Sequence, residues 1–331
     1  MESVARWQES DRRDLFAQTA ANRGISLAIA EKDFWVCWTL SQLFACEELR
    51  TKIMFKGGTS LSKVFGLIDR FSEDIDLILD WKELTSEDPY ADRSNRGKDR
   101  FREQIATASR EYFQNQLQPE LENLLGDLCS VTYTGEDTYS IDIAYPASFP
   151  DTYLRNQIRL DIQPFSGSTP NAIHEVQSYA AEEFPEQFRQ PRCQVRAVDA
   201  ERTFWDKVTI LHREAHRREN DHIKDRQSRH YYDLARMAES KVKASALGNL
   251  DLLESVVKEK EMFFRQPWAN FDLVCPGTVR LIPPTRVLRE IEQDYVAMED
   301  MFYGDVPPLA RVLEVLRDLE EEINALGEPL S

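Results

Sequence analysis

Cysteine is scarce in this chain and follows no pattern. The five residues, Cys37, Cys46, Cys129, Cys193 and Cys275, are scattered over 331 positions and none forms a C-x-x-C pair. That spacing excludes a disulfide framework or a structural zinc site, and buried free thiols are the expectation. Long hydrophobic runs are missing as well: nothing approaches the roughly 18 uninterrupted apolar residues that a membrane helix needs. The opening MESVARWQESDRRDLF is polar and mixed in charge, unlike a secretory signal or transit peptide. A cytoplasmic protein with no membrane partner is expected. Net positive charge is absent too: 41 basic against 58 acidic residues leave −17, and the pI is near 4.9. A non-specific nucleic-acid binder would normally be basic, although a local basic patch can act on an acidic body. Internal repeats and low-complexity segments are also lacking.

What is present has the composition of a globular protein, 42% hydrophobic and 30% charged, with length for one large domain or two ordinary ones. Residues 10 to 50 read as helix with a break near Asn22-Arg23-Gly24. Strand-like runs follow at Lys52–Phe55, Asp74–Leu79, Ser130–Thr134, Tyr139–Tyr145, Gln157–Phe165 and Cys193–Val198. Phe101 to Leu125 reads as helix between them, while Trp81–Arg100 and Ser166–Pro191 read as loop. From Glu201 onward the pattern is helical apart from a proline-rich interruption at 267–284. The expected fold class is therefore α+β, a mixed sheet flanked by helices with a helical C-terminal part. The expected divisions are N-terminal helices over 1–50, a core over 51–200 and a helical domain over 201–331.

Two local patterns carry chemistry. In Met54-Phe-Lys-Gly-Gly-Thr-Ser-Leu-Ser-Lys63 a strand runs into Gly57-Gly58 and then a helix start. A bend without side chains lets backbone N–H groups approach a phosphate closely. In Arg70-Phe-Ser-Glu-Asp-Ile-Asp-Leu77, Asp74 and Asp76 are two apart on a strand and so face the same side. Converging carboxylates call for a cation, and Mg²⁺ (or Mn²⁺) is commonly held by one or two of them with substrate phosphate oxygens. Together these are the minimum equipment for phosphoryl or nucleotidyl transfer. Lys56, Gly57, Gly58, Thr59, Ser60, Lys63 and Ser72 are the candidate nucleotide contacts. A third acid from a neighbouring strand is either Asp161, in Ile158-Arg-Leu-Asp-Ile162, or Asp142, in Ile141-Asp-Ile143.

The helical part adds two features. Lys207 lies on the apolar face of Phe204, Val208 and Leu211. A lysine there requires a partner, either a triphosphate or an internal carboxylate. After it comes the basic run His212-Arg-Glu-Ala-His-Arg-Arg218, with acidic neighbours Glu214, Glu219, Asp221 and Asp225. Arg213, Arg217 and Arg218 are the candidate contacts for an acceptor's phosphates. His212 and His216 lack a third partner at metal-ligand spacing.

These residues carry a resemblance. The Gly-Gly turn followed by a D-x-D strand is similar to the nucleotidyltransferase signature of the polymerase-β superfamily. More narrowly, Glu31-Lys-Asp-Phe34, Phe55-Lys-Gly-Gly-Thr-Ser-Leu61, Arg70–Leu77 and Arg229-His-Tyr-Tyr-Asp-Leu-Ala-Arg236 resemble the AbiEii toxins. These are nucleotidyltransferases of type IV toxin–antitoxin systems, to which the MenT toxins are related. The interval from Gly58 to Asp74 is longer than in ordinary polymerases and suits the narrower family. The resemblance implies a polymerase-β-like core and an enzyme moving a nucleoside monophosphate from an NTP to an RNA, such as a tRNA 3′ end, with release of pyrophosphate. It implies Asp161 as the third metal ligand beside Asp74 and Asp76, catalytic roles for Lys207 and Asp233, and a cognate antitoxin. The same site would serve a protein hydroxyl in an AMP-transferring enzyme, and a catalytically idle NTP-binding regulator is the non-enzyme alternative.

Overall fold

Strands in which apolar residues alternate with polar ones need one covered face and leave the other open. In the computed structural model, which describes residues 1–151, 154–218, 221–264 and 266–327, seven strands, most of them of this kind, form one sheet. They are β1 (Ile53–Lys56), β2 (Ile75–Leu79), β3 (Ser130–Thr132), β4 (Ser140–Ala144), β5 (Gln157–Gln163), β6 (Asn171–Gln177) and β7 (Arg192–Val198). Their order is β3-β4-β5-β2-β1-β7-β6. The sheet is mixed: β2 runs parallel to β5 and β1 parallel to β7, while the other neighbours are antiparallel. Ile75, Leu77, Ile141, Ile143, Ile158, Leu160 and Ile162 are buried in one cluster with Phe34, Trp35 and Trp38 of the Leu27–Ala45 helix. The partly exposed alternates Asp76, Asp142, Arg159 and Asp161 occupy the opposite face.

Two compact units result. The core unit holds Met1–Val64 and Phe71–Val198, and the helical unit holds Phe65–Arg70 with residues 199–331. Chain pattern gives no hint that residues 65–70 leave the core; they do so through specific bonds. The Asp69 N–H donates to the Tyr232 hydroxyl at 3.1 Å, the Tyr303 N–H donates to the Asp69 carbonyl at 3.0 Å, and Arg70 bridges to Phe302. The rest of the helical unit is built from the helices Ala200–Ala215, Ser228–Ala238, Lys241–Leu247, Leu250–Phe263, Thr285–Ala297 and Leu309–Ala325. Glu219 and the last four residues lie outside the described residues.

Two stretches read as loop are ordered elements. The 166–191 stretch contains β6 and the Tyr179–Glu183 helix, which Ser178 caps by accepting the Ala181 N–H at 3.2 Å. As an edge strand with residues 171–173 all exposed, β6 needs no apolar alternation; backbone pairing with β7 defines it. Within 81–100, a helix starts at Asn95, capped by Ser94. Its first turn is polar and its apolar face begins only at Phe101, which hid the start. The cysteines are free thiols, but only Cys37 is buried and Cys275 is exposed. Among the described residues no helix is long and apolar enough to cross a membrane.

Candidate active site

β1 delivers the chain to Gly57, where the backbone takes φ +82°. This is the left-handed region, in which glycine is the natural occupant. Space demands glycine as well: a Cβ at Gly57 would fall on the Asp76 carboxylate. The same neighbourhood follows from the register, which pairs Lys56 with Asp76 across β1 and β2. The bend and the acidic strand are thus in direct contact. Gly57→Ala is expected to cost about 1–3 kcal/mol through backbone strain and to displace the Asp76 carboxylate, lowering turnover by about a hundredfold, since misplacement by an ångström has that effect. Thermal melts and steady-state kinetics check it; a variant with parental kcat would separate the bend from catalysis.

Hydroxyls after the bend brace it. Thr59 Oγ1 donates to the carbonyls of Asp74 and of Ser72, the latter at 3.3 Å, and Ser60 Oγ donates to the Gly57 carbonyl at 2.8 Å. Thr59 therefore locks the start of the Gly57–Lys63 helix to the residues leading into β2. Lys56 Nζ donates to Ser166 Oγ at 2.8 Å. Lys63, at the far end of that helix, is buried against Asp33 at 2.6 Å and over the Tyr179 ring. Burial opposes its charge, but Asp33 outweighs that and raises the Lys63 pKa.

Across the parallel β2–β5 pair, Asp76 stands in register with Asp161. Ser140 on β4 donates to Asp161 at 2.6 Å. Burial and the neighbouring Asp76 charge push the Asp161 carboxyl up to about 6. Asp142, the other candidate third acid, is opposite Arg159 in the antiparallel register and pairs with it at 3.1 Å. Among the described residues no three His, Cys, Asp or Glu side chains converge as a finished metal cage. Two adjacent carboxylates that resist joint ionisation nevertheless fit a divalent cation of the kind completed by substrate phosphates.

The helical unit has its own charged centre. Asp233 is fully buried and takes a two-pronged grip from Arg70, with Nε and Nη2 each at 2.7 Å. Lys207 Nζ adds a bond at 2.7 Å and meets His230 Nδ1 at 3.0 Å. Burial alone would raise the Asp233 carboxyl, but Arg70 and Lys207 hold it down at about 2. Burial and the adjacent Lys207 drive the His230 pKa well below the usual imidazole value. The Lys207 pKa is pulled below its ordinary value by burial and the Arg70 charge, against the opposing pull of Asp233, and Arg70 and Lys207 share the Asp233 carboxylate. Farther along, buried Glu214 accepts from both Arg213 and Arg217, so both guanidiniums are already engaged with one internal carboxylate.

Thus Lys56, Gly57, Gly58, Thr59, Ser60, Ser72, Asp74, Asp76 and Asp161 gather in the core unit, Lys63 is turned to Asp33, and Lys207 with Asp233 belongs to the helical unit. Sequence reasoning passed over Ser140, Arg70 and the Lys32–Glu73 pair. A clue to the last was available: charged residues interrupting an otherwise apolar helix imply buried partners.

The family model for the AbiEii nucleotidyltransferase toxin of type IV toxin–antitoxin systems matches residues 38–321. The chain belongs to this AbiEii family. It is a nucleotidyltransferase, and membership implies an NTP substrate and an antitoxin partner. Among solved structures, this AbiEii enzyme is similar to MenT4, the nucleotidyltransferase toxin Rv2826c from Mycobacterium tuberculosis H37Rv. That match has 15% identity and a TM-score of 0.48, covering 96% of this chain and 99% of that one. It is similar also to JHP933 from Helicobacter pylori, at 13% identity and a TM-score of 0.36, covering 92% and 100%. No curated protein matches.

Proposed function

We propose that this AbiEii enzyme transfers a nucleoside monophosphate from an NTP to a hydroxyl of an RNA, such as a tRNA 3′ end, in a reaction dependent on a divalent metal. The observation that carries the reading is the contact of Asp76 with Gly57 together with its register alignment to Asp161. Asp74, Asp76 and Asp161 would hold Mg²⁺ or Mn²⁺, which when bound neutralises phosphate charge and polarises the reacting phosphoryl group. The Gly57-Gly58 bend admits the phosphates close to the backbone, and Thr59 and Ser60 keep that bend fixed. The acceptor oxygen forms a bond to the α-phosphorus, the bond from that phosphorus to the α–β bridging oxygen breaks, and pyrophosphate leaves. The acceptor's proton passes to a site carboxylate. Most of the rate gain then comes from positioning and fixed electrostatics. In the helical unit the family resemblance assigns Lys207 to catalysis. Lys207 shares the Asp233 carboxylate with Arg70, a position that suits a group answering to phosphate, with Asp233 orienting it.

For the acceptor's backbone, the Arg213, Arg217 and Arg218 run is one candidate surface. The pairing of Arg213 and Arg217 with Glu214 favours a second, in the core unit. Arg96, Lys98 and Arg100 open the Asn95–Tyr112 helix, whose Phe101 packs on Phe165, the residue before the Ser166 that bonds Lys56. The test incubates the protein with each α-labelled NTP in turn, total tRNA and cell protein, with and without EDTA. EDTA-sensitive label on RNA is expected. Label on protein would point to an AMP-transferring enzyme, and saturable NTP binding without label to an idle regulator. Alanine at 96, 98 and 100, against alanine at 213, 217 and 218, shows which set raises KM for RNA.

A further inference from the structure

The buried residues of the Leu27–Ala45 helix are uncharged except Glu31, Lys32 and Asp33, none of them more than 2% exposed. Consecutive helix positions point about 100° apart, so each of these three reaches different parts of the core unit. Glu31 accepts the N–H of Ser148 at 2.8 and 3.0 Å and of Phe149 at 2.9 Å. Asp33 accepts from Lys63 and from the Tyr179 N–H, each at 2.6 Å. Lys32 donates to Glu73 at 2.5 Å and to the Arg155 carbonyl at 2.8 Å.

The Lys32 bonds matter for the site. Glu73 directly precedes Asp74, just ahead of β2, and Arg155 lies two residues ahead of β5. Those strands are parallel neighbours, so their first residues lie at the same end of the sheet. One ammonium therefore ties together the starts of the two strands that carry Asp76 and Asp161.

We propose that Lys32 is a positioning residue for nucleotidyl transfer: through Glu73 and the Arg155 carbonyl it fixes the separation of the Asp76 and Asp161 carboxylates. Stability alone does not demand an ion pair there, because a buried pair can often be replaced by apolar side chains of similar volume at no loss. The charged tether supplies directional bonds that define where the two strands begin, which an apolar pair does not. This inference rests on the reading of Asp76 and Asp161 as the carboxylates that hold the metal with the triphosphate.

Lys32→Met alone strips the ammonium from a buried carboxylate and confounds folding with function. The informative variant is Lys32→Met with Glu73→Met, which removes both charges. Mn²⁺ binding is measured by electron paramagnetic resonance with a non-hydrolysable NTP analogue present, beside thermal melts and kinetics. The double variant is expected to melt with the parent yet bind Mn²⁺ about 10–100-fold more weakly, with kcat reduced and KM for RNA unchanged. A double variant with parental Mn²⁺ affinity overturns the proposal, whether or not its melting temperature falls, because Lys32 then serves stability alone. Asp76→Asn in the same titration tells the two failures apart. If it also binds Mn²⁺ like the parent, the site reading fails and takes this proposal with it. If it loses Mn²⁺ while the double variant does not, only the positioning role fails.

Discussion

Asp76→Asn is expected to reduce nucleotidyl transfer by at least about a thousandfold while leaving the fold intact. A thousandfold corresponds to about 4 kcal/mol of transition-state stabilisation, within reach of a carboxylate that places the group neutralising phosphate charge. Asparagine keeps nearly the same outline, so packing against Gly57 survives and the bend need not move. The substitution also removes one of two like charges set side by side, and that neighbour is part of what pushes the Asp161 carboxyl up to about 6. Activity and stability should therefore separate: transfer collapses and the melting temperature is unchanged or slightly higher. Labelled-transfer rates and circular dichroism melts on the same preparation test this. An Asp76→Asn protein that labels RNA at the parental rate would end the assignment.

The contact between Gly57 and Asp76 was legible in the sequence because each half is local. A glycine pair at the end of an apolar run marks a bend, and Asp76 alternates with the buried Ile75 and Leu77, although Asp74 falls just ahead of β2 and not on it. The choice between Asp161 and Asp142 was not legible on those terms. Both sit in strands with apolar neighbours on each side, and pattern alone cannot rank them. Register separates them, since parallel pairing with β2 brings Asp161 to Asp76, whereas Asp142 meets Arg159 across the antiparallel pair. Register is a long-range property, as are the Lys63–Asp33 bond and the departure of residues 65–70 into the helical unit. Local periodicity holds no record of them. β6 was missed for a related reason: an exposed edge strand is defined by its partner's backbone and needs no apolar code of its own.

Asp233→Ala is expected to be the most destabilising single change in the helical unit, by about 3–5 kcal/mol, because it leaves Arg70 and Lys207 buried without their carboxylate. The effect has a pH signature. Asp233 is held at about 2 in the folded protein, below the ordinary carboxylate value of about 3.9. A depressed folded pKa contributes stability that is fully present above the unfolded value and fades as pH falls through the folded one. The carboxylate's share is about 2 kcal/mol. The gap in unfolding free energy between parent and variant should accordingly be constant from pH 7 to about 5 and narrow between 4 and 2. Denaturant titrations across that range measure it, and a gap independent of pH would rule out the ionised carboxylate as the source. Lys207→Met supplies the opposite case. It leaves the Arg70–Asp233 fork in place and removes an ammonium whose charge burial disfavours, so the helical unit should stay close to parental stability. Any loss of transfer in Lys207→Met then reports on catalysis, whereas a loss in Asp233→Ala mixes catalysis with unfolding.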